Sequence, residues 1–136
     1  MKKLSAMFFT VLAVSIFLLG FDSVQKNEVS LAKAADPDII KGVEKVLATV
    51  HELKDVLEKS PKDSKKIHKL GKKISEQWDV IEKKVEKKYP EAYVDIEKSL
   101  YPLIGFSKEE DPSVEKLQEL IKQVDKKLER FKKHLG

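Results

Sequence analysis

The sequence predicts an all-α, up-down-up-down four-helix bundle behind an N-terminal signal peptide. Three observations predict it. Four segments carry apolar residues every three or four positions, the period of a helix with one buried face. Each segment is expected to open with a polar cap and a proline at the first helical position, where its missing N–H would be unpaired in any case. The connections are short, and no strand-like alternation or Asn-Gly hairpin signal interrupts the pattern.

Residues 1–34 read as a targeting segment. Met1-Lys2-Lys3 is a positively charged start, and Leu4 to Phe21 is an uncharged, largely apolar run of 18 residues. Ala32-Lys33-Ala34 then supplies small residues at the alternating positions that signal peptidase needs, so cleavage would leave a chain starting near Ala35. An uncleaved anchor is the competing reading, because 18 residues sit at the lower edge of a bilayer span. Either way, residues 35–136 are expected outside the cytoplasm, secreted or on the outer face of the membrane or cell wall, with the lysines kept inside. The chain has no cysteine, which removes disulfides, thiolate metal sites and a lipoprotein anchor. A cysteine-free exported product fits a Gram-positive surface.

The first helix opens at Asp36-Pro37 and runs to about Glu58, with Ile39, Ile40, Val43, Val46, Leu47, Val50, Leu53 and Leu57 as its stripe. The second is expected to open at Ser60-Pro61, with Asp63 three residues after the cap. Its stripe is Ile67, Leu70, Ile74, Trp78, Ile81 and Val85, and it ends near Lys88. The third begins at Pro90 and turns Tyr93, Ile96, Leu100 and Leu103 or Ile104 inward. Pro102 should stop or kink it near Leu100, leaving Gly105 to Glu110 as the longest loop. The fourth is expected from Asp111-Pro112 to His134, with Val114, Leu117, Leu120, Ile121, Val124, Leu128, Phe131 and Leu135 facing in.

Charge says little about partners until the leader is set aside. The whole chain has 27 basic and 23 acidic side chains. Removing Lys2, Lys3, Lys26 and Lys33, with Asp22 and Glu28, leaves 23 and 21, a net of +2. Arg130 is the only arginine, and the charges alternate in sign, so no nucleic-acid role is expected. No phosphate loop, nucleophile elbow, His-Glu-x-x-His pair or calcium loop occurs, which points away from an enzyme and identifies no small-molecule substrate. His51, His68 and His134 lie on separate helices, and His68 points to solvent.

The remaining candidates for chemistry are polar residues at the edges of the stripes. At about 100° per residue, Glu82 lies roughly 75° from the centre of its stripe and Glu97 roughly 60° from its own. Both reach the boundary between core and water, where a hard cation finds oxygen ligands. His51 shares a face with Asp55 and Glu58, at i, i+4 and i+7. Glu82, Glu97 and His51 are therefore the candidate metal ligands, against the alternative that each simply meets lysine or solvent. Trp78, Tyr93 and Phe131 are core aromatics by position, and Tyr101, about 100° off its stripe, is the exposed one. A second reading makes the bundle an interaction module. Its lysine pairs (65–66, 72–73, 83–84, 87–88, 126–127 and 132–133) would then touch cell-wall polymer or a partner protein.

From Trp78 to Glu97 the chain reads WDVIEKKVEKKYPEAYVDIE. This segment resembles the extracytoplasmic helical domain that precedes the membrane part of bacterial oxidase-dependent iron permeases. The matching residues are Trp78, Ile81, Glu82, Pro90, Glu91, Ala92, Tyr93, Ile96 and Glu97. The resemblance implies metal uptake at the cell surface, with iron or another divalent or trivalent cation presented to a membrane iron-uptake protein. It supports Glu82 and Glu97 as ligands. The membrane spans of the permease and their Arg-Glu-x-x-Glu motifs have no counterpart here, so transport itself is not implied. The His-x-x-Glu site of imelysin-like proteins is also missing, since His51 is followed by Lys54 and His68 by Gly71 at that spacing.

Overall fold

The computed structural model describes residues 35–136, which form a compact unit with its own core. The expected signal peptide or anchor, 1–34, lies outside the described residues. Four helices make up the unit: α1 Pro37–Lys59, α2 Ser64–Lys88, α3 Pro90–Ser107 and α4 Val114–Leu135. The described residues contain no strand. Each helix packs on the next, and α4 closes the ring against α1, while neither diagonal pair brings Cα atoms within 8 Å of each other. This is the up-down-up-down bundle.

The stripes are the core. All six predicted α2 residues, Ile67, Leu70, Ile74, Trp78, Ile81 and Val85, are buried, and Trp78 is 0% exposed. In α1 only Ile40 of the predicted set is merely half-buried, and Val56 joins the core instead. Tyr93 and Val114 are likewise partly buried at the rim. Each fully buried aliphatic side chain contributes about 1.5–3 kcal/mol before chain entropy is charged against it.

Three helix ends differ from the expectation, each for a local reason. Ser60 does not start α2: its N–H donates to Val56 O at 2.7 Å and closes α1. Pro61 therefore lies in the turn, and Asp63 caps α2 by accepting from the Lys66 N–H at 3.0 Å. At α4 the cap is Ser113, whose hydroxyl accepts from the Lys116 N–H at 3.4 Å, and Pro112 is buried just before it. Proline occupies the first helical position only at Pro37 and Pro90.

The third difference is that α3 runs through Pro102 to Ser107, so the link to α4 is residues 108–113. An interior proline costs about 3 kcal/mol. Stopping at Leu100 would forfeit the burial of both Leu103 and Ile104, at about 1.5–3 kcal/mol each, and burial wins. Between α2 and α3 a single residue suffices. Tyr89 donates its N–H to Val85 O at 2.7 Å and accepts from the Tyr93 N–H at 2.9 Å, ending one helix and starting the next.

Candidate functional site

The four seams of the bundle are not held alike. On the α1–α2 seam, Lys84 pairs with Asp38 at 2.7 Å, Lys88 with Asp36 at 2.9 Å and Lys73 with Glu52 at 3.5 Å. The α3–α4 seam joins Asp95 to Arg130 at 2.8 Å and to Lys127 at 3.3 Å. The α1–α4 seam has Lys132 with Glu44 at 3.3 Å and His51 with Asp125 at 2.5 Å. Among the described residues no ion pair crosses the α2–α3 seam. There, two carboxylates meet aromatic donors instead.

Glu97 Oε1 accepts the indole N–H of Trp78 at 3.2 Å, and Glu82 Oε2 accepts the Tyr101 hydroxyl at 3.3 Å. Helical spacing explains the meeting. Trp78 and Glu82 are i and i+4 on α2, while Tyr93, Glu97 and Tyr101 are i, i+4 and i+8 on α3. The one-residue link at Tyr89 brings the two rows face to face. Both glutamates are half-buried, Trp78 is buried and Tyr101 is 47% exposed, so the group spans core to solvent.

The electrostatics are those of unneutralised negative charge. The Tyr93 hydroxyl titrates above its usual range, first because it hydrogen-bonds to Glu97, then through desolvation and the charges of Glu97, Glu86 and Glu82. Tyr101 is raised strongly, first by partial desolvation against the seam, then by Glu97 and Glu82. Both phenols keep their protons because a phenolate would face carboxylates with no cation between them.

Glu82 and Glu97 are thus brought together, and His51 is not with them. It lies on the opposite seam, exposed, its Nε2 donating to Asp125. Asp55 and Glu58, on the same face of α1, are also exposed. No group of three or more His, Asp or Glu side chains among the described residues is arranged to hold a metal ion. His68 is a correction to the solvated residue expected of it. It is half-buried, and its Nε2 donates to the carbonyl of Glu109 at 2.6 Å, pinning the α3–α4 link to α2. Tyr93 and Tyr101 stand beside the candidate carboxylates on this seam, a grouping that the stripe reading missed. Their four-residue steps from Glu97 were the available signal.

Over 96 residues the chain is 28% identical to the iron uptake system component EfeM of Bacillus subtilis. The match takes in 71% of this chain and 24% of that protein, so the chain spans about a quarter of the relative's length. No family model matches, and no solved structure matches. No helix among the described residues is long and apolar enough to cross a membrane.

Proposed function

We propose that this chain is an extracytoplasmic, non-catalytic accessory of an iron-uptake system that presents a ferric ion at the α2–α3 seam. One observation carries the reading. Every other seam carries at least one carboxylate paired with lysine or arginine, whereas among the described residues Glu82 and Glu97 have only neutral donors. A bound cation would supply the missing charge. The likeness to an iron uptake component and the Trp78–Glu97 segment support the choice of metal.

The donor set suits a hard ion. Two carboxylates and two phenols offer oxygen only, the ligand type of hard cations. Two carboxylates are few for a storage site, and the site opens to solvent at Tyr101. A site of this kind holds its ion loosely, with other positions left to water or a carrier molecule, as suits hand-over to a membrane partner. His51, on the far seam, takes no part in this ion's coordination.

Thermal unfolding with and without ferric ion tests the reading. A ligand at 100 times its Kd stabilises the native state by about 2.7 kcal/mol. For a domain of this size that raises Tm by roughly 10 °C or more. The Glu82→Gln/Glu97→Gln variant keeps an acceptor for the Trp78 indole but removes both charges, and it should lose the rise. Equal shifts in wild type and variant would place the ion elsewhere.

A further inference from the structure

A second feature of α2 lies at its other end, about 20 Å along the helix from Glu82. Residues 62–73 contain six lysines, Lys62, Lys65, Lys66, Lys69, Lys72 and Lys73, against one acid, Asp63. The structure separates these lysines into two groups. Lys72 faces Glu76 at 3.7 Å and Lys73 faces Glu52 at 3.5 Å. Lys62, Lys65, Lys66 and Lys69 have no acidic partner among the described residues, and all four are exposed. Asp63 is already engaged in capping the Lys66 N–H. The acids of the nearby α3–α4 link, Glu109, Glu110 and Asp111, form no ion pair with this stretch.

The lysines also stand at the wrong end of their helix. α1, α3 and α4 each carry an acid in the first turn, Asp38, Glu91 and Glu115, and α2 has none. The positive end of the helix dipole faces Lys65 and Lys66, which is unfavourable by some tenths of a kcal/mol per charge. Lys65, Lys66, Lys69 and Lys73 outnumber Glu52 and Asp63 around a cleft of about 500 Å³ that has the buried Leu70 on its wall; Glu52 faces Lys73, and Asp63 caps the helix.

We propose that this end of α2 is a docking surface for a base-free phosphodiester polyanion of the cell exterior. Four free lysines, at i, i+3, i+4 and i+7 along one side of the chain, complement a row of phosphates. The chemistry of the patch selects among polyanion sources. A protein interface is anchored by aromatic or aliphatic side chains, and an interfacial membrane helix inserts an apolar face. The large exposed hydrophobics, Val80, Val94 and Tyr101, all lie outside this stretch. Nucleic acid calls for arginine forks or stacking aromatics. The stretch 60–73 has no arginine, and its one aromatic ring, His68, is half-buried and held by the Glu109 carbonyl. The surface is independent of the α2–α3 metal site.

The test is binding of the 35–136 unit to a purified poly(glycerol phosphate) across a salt series. The partners are the Lys62→Gln/Lys65→Gln/Lys66→Gln/Lys69→Gln variant and a charge-matched control, Lys83→Gln/Lys87→Gln/Lys126→Gln/Lys133→Gln. Neutralising four contacts should flatten the slope of log K against log salt by about 3, at roughly 0.7 per charge for a single strand. Affinity at low salt should fall at least tenfold, and the control should change little. The docking variant should melt no lower than wild type, since it relieves the dipole clash. If it does unfold, Lys66→Gln/Lys69→Gln should still halve the slope change. Equal losses in both quadruple variants would overturn the proposal. So would absence of binding, or equally tight binding of single-stranded DNA or phosphatidylglycerol vesicles.

Discussion

Glu97 and Glu82 differ in what each holds. Removing the Glu97 side chain strands the indole N–H of Trp78, which is fully buried. Glu97→Ala should therefore cost about 1–3 kcal/mol, the desolvation cost of an unpaired donor, in urea unfolding. Glu82→Ala releases a half-exposed phenol that water can satisfy, and should cost less than about 1 kcal/mol. The tyrosines set a pH dependence of known sign. Tyr93 and Tyr101 bind their protons more tightly folded than unfolded. Their contribution is fully present below the unfolded pKa of about 10 and is lost as pH rises through the folded values. Melting temperature should fall above about pH 10, and Tyr93→Phe/Tyr101→Phe should reduce that fall. At this scale the sequence marked the two carboxylates as boundary residues, because a stripe edge is a matter of angle on one helix. It hid their partners, because the pairing of Glu82 with Tyr101 and of Trp78 with Glu97 depends on the rotation of two helices about a shared turn.

The helices themselves carry two deliberate irregularities. Gly71 is buried where α2 meets the end of α3, and a Cβ there would stand 2.7 Å from Ser107 Cβ. Overpacking at such a contact costs about 1–3 kcal/mol, more than the roughly 1 kcal/mol that alanine gains over glycine in a helix. Gly71→Ala should destabilise the bundle in denaturant melts, and Ser107→Gly should recover part of the loss in the double variant. Pro102 leaves one rung of α3 unmade. Pro102→Ala restores the N–H but frees the unfolded chain, so a net gain of about 1–2 kcal/mol is expected by the same measurement. Stripes and cap residues made all four helices legible. The ends were less so: at 60–63 and 111–113 proline and a better cap residue compete for the same few positions, and hydrogen-bond geometry decides between them. The length of α3 was hidden for another reason, because the burial of Leu103 and Ile104 outweighs a local breaker only once three other helices are present.

Across the whole molecule, charge is distributed by seam. The +2 balance of residues 35–136 concealed a pattern in which three seams are neutralised by ion pairs and the fourth is bridged only by phenol and indole donors. Composition could not show this, since it takes the ring order of the helices to say which carboxylates face which cations. The bundle architecture was legible from the chain, and Glu82 and Glu97 were legible as candidates. The absence of a counter-charge between them was not. The central claim is that this gap receives iron, and ferric ion reports on it directly through the charge-transfer absorption of iron-bound tyrosinate in the visible. The deciding measurement is a titration of the 35–136 unit with ferric nitrilotriacetate, alongside Tyr93→Phe/Tyr101→Phe and Glu82→Gln/Glu97→Gln. A saturable visible band with a coupled rise in Tm, both lost in the glutamine variant and the band alone lost in the phenylalanine variant, is the predicted result. A colourless titration with unchanged melting would contradict the assignment of this seam as the metal site.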